Sequence, residues 1–239
     1  MSKNTRRTQR GEASLSRERI IEAAIELLDG GGDGALTFRT LSERLATGAG
    51  AIYWHVANKG ELMDAACNAI VTAAMDAAAQ TSKGEKHPQE AIRAIGLALF
   101  DAIDAHAWVG AQLARSPASL AMLRIMEGIG SRVRALGVAD TVQWSGGAAL
   151  LSYTLMVAGQ NAANGQYARE HGLDREQILD AMASQWEALD DAEFPFTRSI
   201  AGQLRHHDDR ADFLAGIDLI LAGIAASSTG KAGRANYEG

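Results

Sequence analysis

The chain has 239 residues, 47% of them hydrophobic, and a formal net charge of −6. That is enough apolar side chain for a sizeable core and excludes a wholly disordered chain, while three prolines set among abundant alanine and leucine favour an all-α fold. The single cysteine, Cys67, excludes an internal disulfide framework and fits a reducing cytoplasm.

The N-terminus, MSKNTRRTQRGEASLSR, is polar and basic and lacks the apolar core of a secretory signal. Charge is unevenly spread. Residues 1–60 hold nine Lys/Arg and seven Asp/Glu, a balance of +2, and the remainder holds 14 and 22, a balance of −8. Residues 1–15 read as a basic flexible arm. On charge alone, a polyanion partner at that end and a merely solubilising terminus stand equal.

A first helix should start from a cap at Ser16 and run to Leu28 or Asp29, with Ile20, Ala24, Leu27 and Leu28 in one apolar row. The glycine run GGGDG (30–34) stops it; without a following Gly-Lys-Ser/Thr it is no phosphate loop. Thr37 can cap a second helix that turns Phe38, Leu41 and Leu45 inward. After a break at ATGAG (46–50), a third helix is expected over Ala49–His55. Three short helices with a tight turn before the third make a helix-turn-helix.

Asn58 and Glu61 form a cap-and-return pair, so a fourth helix starts near Lys59 and reaches about Thr81. Further helices are expected near 89–106, 108–115, 118–136, 141–164, 174–190, 196–206 and 210–226. The longest apolar stretches, 145–159 and 213–226, fall short of the ~20 residues that span a bilayer and are interrupted by Ser152, Tyr153 and Asp218. No membrane association is expected, and residues 228–239 read as a disordered tail.

The stretch LTFRTLSERLATGAGAIYWHVANKGELMDA resembles the helix-turn-helix signature of the tetracycline-repressor (TetR) family of transcriptional regulators. The resemblance rests on Leu36-Thr37, Arg39, Leu41, Leu45, Ile52, Tyr53-Trp54-His55-Val56, Asn58-Lys59 and Leu62. It implies a DNA-binding domain over 16–62 and a larger helical ligand-binding and dimerisation domain over 63–227. Small residues at Gly48, Ala49, Gly50 and Ala51 let the recognition helix approach a major groove closely. Tyr53 and His55 would donate to phosphates, Trp54 would pack, and Thr37 and Lys59 would seat phosphates at helix starts. Arg39 is the candidate base reader. By themselves the three adjacent aromatic residues would equally suit the corner of a small core.

The same resemblance implies a homodimer on a palindromic double-stranded DNA operator, joined through 145–163 and 211–226, although burial within one chain is the alternative for those helices. It also implies a small hydrophobic effector whose entry moves the fourth helix and releases DNA. Candidate pocket residues are Met75, Phe100, Trp108, Met122, Met126, Trp144, Tyr153, Met156 and Asn161; each taken singly also suits ordinary core. Met75 stands where tetracycline-responsive members carry a histidine, which argues against tetracycline itself. No catalytic motif, metal set or cofactor motif is present: Cys67 suits small buried core, and HHDD (206–209) suits a helix end and cap. The competing reading is an α-helical small-molecule binding protein or enzyme that reuses the scaffold without DNA binding.

Overall fold

The computed structural model describes residues 15–84 and 87–229. The expected arm lies outside these except for its last residue, as does the expected tail beyond Thr229. No strand occurs among the described residues. The chain divides after Ala66 into two compact units.

The first unit holds α1 (Arg17–Ala35), α2 (Phe38–Leu45), α3 (Ala49–Tyr53) and the opening turns of α4 (Lys59–Thr81). Ser16 caps α1 by accepting from the Arg19 N–H at 3.3 Å. Ile20, Ala23, Ala24 and Leu28 are buried. Helical geometry breaks at Gly31 and Gly32, so the regular helix ends at Gly30, one residue past the expected stop. Gly32 takes φ 64 and ψ −161, a region essentially reserved for glycine. Leu36, Leu41, Ile52, Val56 and Leu62 complete a small core.

The second unit contains the rest of α4, then α5 (Pro88–Ala105), α6 (Trp108–Arg115), α7 (Leu120–Ala135), α8 (Asp140–His171), α9 (Arg175–Glu187), α10 (Pro195–Ile200) and α11 (Asp209–Thr229). Four of these, α5, α7, α8 and α11, make the core around Ile95, Leu99, Ile125, Ile129, Leu150, Phe213 and Ile217. Gly96 permits a close approach of α5 to α11. A Cβ there would lie 2.5 Å from Ile217 Cδ1.

Two expectations need correction. α8 does not stop at Ala163 or Asn164 but continues to His171, where Gly172 ends it in the left-handed conformation at φ 62. One-turn side-chain bonds carry the helix through Asn164-Gly165: Gln160 donates to Asn164 and Gln166 to Glu170, both at 2.8 Å, and Tyr167 stacks on His171 at 4.1 Å. The other correction concerns apolar length. Among the described residues, the helix long and apolar enough to cross a membrane is α4, not 145–159 or 213–226. Leu62, Met63, Ala66, Cys67, Val71, Ala74 and Ala78 make one buried row along it, as in a core helix.

α9 and α10 form a separate lobe with the 3-10 turn Ala201–His206 that follows α10. Arg205 pins it, donating to Asp180 at 2.8 Å and to Glu187 at 2.5 Å.

Candidate nucleic-acid interface and effector site

The turn between α2 and α3 is built from local bonds. The Thr37 hydroxyl accepts from the Thr40 N–H at 3.1 Å, and the Thr40 hydroxyl accepts from the Thr37 N–H at 3.0 Å. This reciprocal cap starts α2. At its other end Ala46 adopts φ 50, and its N–H reaches the Glu43 carbonyl at 3.3 Å, while the Thr47 N–H reaches that of Ser42 at 3.0 Å. A non-glycine residue at positive φ carries strain, here offset by carbonyls satisfied at the helix end.

Gly48, Ala49 and Gly50 are exposed and Ala51 half-buried. A Cβ on Gly48 or Gly50 would meet nothing within 4 Å, so this end of α3 presents open backbone. Ile52 and Val56 hold α3 from beneath. The helix closes at Tyr53 rather than at His55; Trp54 and His55 lie in the turn, where the N–H groups of His55 and Val56 both reach the Ile52 carbonyl.

The aromatic residues separate. Tyr53 stacks on Phe38 with centroids 4.4 Å apart and planes 15° apart. Trp54, expected to pack, is instead 90% exposed, because the turn that ends α3 swings it away from the core. His55 is half-buried. The spacing of Phe38 marks it only as core; its second role as the platform for Tyr53 has no local signal.

The basic residues are tethered to acids. Arg39, its side chain 87% exposed, donates through Nε to Glu43 at 3.0 Å. Arg44 donates through Nε to Glu26 at 2.7 Å. Lys59 Nζ contacts the Asp33 carboxylate at 2.6 Å and its carbonyl at 2.7 Å. Arg17 meets Glu61 at 3.4 Å. Of these partners, only Glu43 is legible from the sequence, through its one-turn spacing from Arg39.

Asn58 caps α4 as expected, accepting from the Glu61 N–H at 2.9 Å. The return bond lands one residue earlier than a capping box requires, with the Glu61 carboxylate accepting from the Ala57 N–H at 2.8 Å. That bond, and then Arg17, hold the Glu61 carboxyl below the ordinary glutamate range.

The nine pocket candidates do not gather in one place. Phe100 and Trp108 are buried, and Phe100 packs on Phe213 at 4.8 Å. Met75 covers Gly128, and Met122 is half-buried. The Tyr153 hydroxyl donates to the Phe213 carbonyl at 3.2 Å. Met126, Trp144 and Met156 are exposed, the last two at 72% each. Phe100 and Asn161 do share a recess of about 400 Å³ with Asp104, Arg175, His207 and Asp209. Asn161 donates to Asp104 there at 2.9 Å. A second cleft of about 360 Å³, walled by alanines of α4 and α5, holds none of the nine.

In the HHDD stretch, Asp208 caps α11 by accepting from the Arg210 and Ala211 N–H groups, each at 3.0 Å. His207 lies between Asp209 at 3.0 Å and Asp212 at 2.5 Å. Cys67 is buried. Among the described residues, no group of three or more His, Cys, Asp or Glu is placed to hold a metal ion.

Comparison with known proteins agrees with this geometry. Residues 20–66 match the model of bacterial regulatory proteins of the tetR family, and residues 82–228 match the tetracyclin repressor-like C-terminal domain. The class C tetracycline repressor protein of Escherichia coli is 47% identical over 58 residues, 24% of this chain and 26% of that protein. The HTH-type transcriptional repressor DrrR1 of Streptomyces coeruleorubidus is 28% identical over 192 residues, 79% of this chain and 64% of its own. Several curated relatives are thus matched over only about a quarter of their length. A solved structure of the transcriptional regulator SCO7222, a TetR from Streptomyces coelicolor, is 49% identical. It superposes with a TM-score of 0.80 over 90% of this chain and 99% of that one. The chain belongs to the TetR family of bacterial regulatory proteins.

Proposed function

We propose that the protein is a transcriptional repressor that binds a palindromic operator as a homodimer and leaves it when a small hydrophobic effector binds. The observation that carries the reading is the open Gly48–Ala51 edge of α3, flanked by the Tyr53 hydroxyl end and by Arg39 one helix away. Backbone that bare can sit deep in a major groove, and the flanking donors suit phosphates and a guanine edge.

Dimerisation is supported by two seams. On α8, Ser145, Ala149, Ser152, Met156 and Ala163 face outward; on α11, Ala215, Leu219, Ala222 and Ala226 do the same. Both follow the three-four spacing of a helix-bundle seam. Met156 at 72% and Leu219 at 75% exposure are large apolar side chains that a second copy would cover. The apolar cleft of about 360 Å³ walled by Ile70, Ala74 and Ala77 of α4 and Leu97 of α5 is the proposed effector site, and α4, which lines it, the element that transmits occupancy to Lys59. The protein acts in the cytoplasm, as a binding protein rather than an enzyme.

The test is a binding selection with purified protein against source-genome fragments, beginning with DNA flanking its own gene. The expected result is a short inverted repeat with half-sites about 34–36 Å apart, bound more weakly as salt rises. A folded dimer that enriches no site would refute the reading and favour a scaffold without a DNA role.

A further inference from the structure

A helix stop needs one glycine just past the helix end, yet this chain places glycine at 30, 31, 32 and 34. The structure shows what the surplus does. Gly32 at φ 64, ψ −161, and Gly31, where a Cβ would lie 2.8 Å from that of Ala35, let the chain turn so that both acceptors of Asp33 fall on one ammonium. The carboxylate lies 2.6 Å from Lys59 Nζ and the main-chain oxygen 2.7 Å from it. An ammonium has three hydrogens, and Asp33 takes two. The pair joins residues 26 apart and is half-exposed, open to solvent and to any polyanion that reaches it.

The setting is acidic as well. Residues 15–66 carry five Lys/Arg and eight Asp/Glu, a balance of −3, so the described part of the DNA-binding unit is no general polyanion surface.

We propose that Asp33 sets the strength of non-specific DNA binding: it competes with phosphate for Lys59 and so lowers the protein's affinity for DNA of any sequence. This rests on the DNA-binding reading above. A phosphate meeting Lys59 must displace a carboxylate already in place, so less net charge is neutralised and fewer counterions are released. On a random duplex that loss is felt in full. On an operator the same loss is outweighed by the contacts from α2 and α3. Asp33 acts through Lys59 and is a positioning residue, not itself a DNA contact.

The experiment is a fluorescence-anisotropy titration of a labelled 30-base-pair random duplex between 50 and 200 mM KCl. It compares the full-length wild type, Asp33→Asn, Lys59→Ala, the double variant and Asp33→Glu. Asp33→Asn should bind more tightly at 50 mM. Its plot of log affinity against log salt should steepen by about 0.9, one phosphate's worth, which is about 3.5-fold more affinity lost across the range than for wild type. Asp33→Glu, which keeps the charge, should match wild type. In the Lys59→Ala background the Asp33→Asn change should leave the slope where it was.

An ion pair that merely staples the loop to α4 would shift the melting temperature but not the salt slope. An unchanged slope in Asp33→Asn overturns the proposal, as does an equal change with and without Lys59, which would reflect net charge alone. Should Asp33→Asn melt below the assay temperature, Asp33→Ser is the substitute and faces the same criteria. A wild type that binds neither the random duplex nor any fragment in the genome selection at 50 mM would overturn the DNA-binding reading and this inference together. Wild-type binding without the slope change overturns this inference alone.

Discussion

Gly216 in α11 lies under the ring of Tyr153 from α8, and replacing it with alanine gives a sharp test of how these two helices interlock. A Cβ at Gly216 would lie 1.9 Å from the Tyr153 hydroxyl oxygen, 2.2 Å from Cζ and 2.9 Å from Cε2. The ring cannot simply swing aside. It stacks on Phe213 with centroids 5.7 Å apart and planes 12° apart, and its hydroxyl donates to the Phe213 carbonyl at 3.2 Å. Displacing it forfeits about 1 kcal/mol of hydrogen bond and about 0.5–1.5 kcal/mol of ring contact. Alanine returns about 0.8–1 kcal/mol of helix propensity. Residual overpacking of about 1–3 kcal/mol leaves Gly216→Ala destabilising by roughly 1.5–4.7 kcal/mol. For a chain of this size that is a fall in Tm of roughly 3–19 °C.

The assay is a set of thermal melts at fixed protein concentration for Gly216→Ala, Tyr153→Leu and the double variant. Tyr153→Phe would not serve as the relieving partner, because Cζ itself stands 2.2 Å from the new methyl. In the Tyr153→Leu background the ring is gone, and Gly216→Ala should become neutral or mildly stabilising. Because Ala215 and Leu219 of the proposed dimer seam flank this contact on α11, the single variant should also weaken the dimer in sedimentation. The reasoning fails if Gly216→Ala stabilises the wild type, or costs as much in the Tyr153→Leu background as with the tyrosine in place.

Arg39→Ala should relax preference at one base pair per half-site by about 1–3 kcal/mol in a competition among operator variants; unchanged preference would remove Arg39 as the base reader. Glu61 gives a pH test. Its carboxyl is held low in the folded chain by the Ala57 N–H and Arg17, so its contribution is complete above the ordinary glutamate range and is lost as pH falls through the lowered folded value. Glu61→Gln should therefore melt below wild type at pH 7, with the gap narrowing step by step in melts taken below the ordinary glutamate value of about 4.3. A gap that persists there would mean the carboxylate charge is not what holds the start of α4.

The local parts of the site are legible in the sequence because their causes are local. The Ser16 cap, the Thr37 cap, the Asn58–Glu61 pair and the core positions Leu41, Ile52 and Val56 each follow from a few neighbouring residues. The extension of α8 is hidden because Asn164-Gly165 reads as a break, whereas the one-turn bonds on either side outweigh the weak local preference. The exposure of Trp54 is hidden for a related reason: helical spacing reads on to His55, and the real helix stops at Tyr53. The pocket is least legible of all. Large side chains on alanine-rich helices serve core, recess and outer seam alike, and only the packing separates Phe100 from Met156.

Tethered bases also bear on how an effector could release DNA. On this reading, a head whose residues 1–66 hold nine Lys/Arg against nine Asp/Glu carries no net positive charge to add non-specific attraction, and each half-site is held weakly by itself. Tight binding then depends on two heads engaging at once, through the high effective concentration that the dimer confers on the second. That dependence makes release inexpensive in structural terms. A change of spacing too small to unfold anything removes simultaneous engagement, and a single weak head cannot keep hold. If Asp33 were neutralised, each head would cling more firmly, and the same effector should release DNA less completely. The acids around Lys59 and Arg39 would then set the depth of induction as well as the strength of non-specific binding.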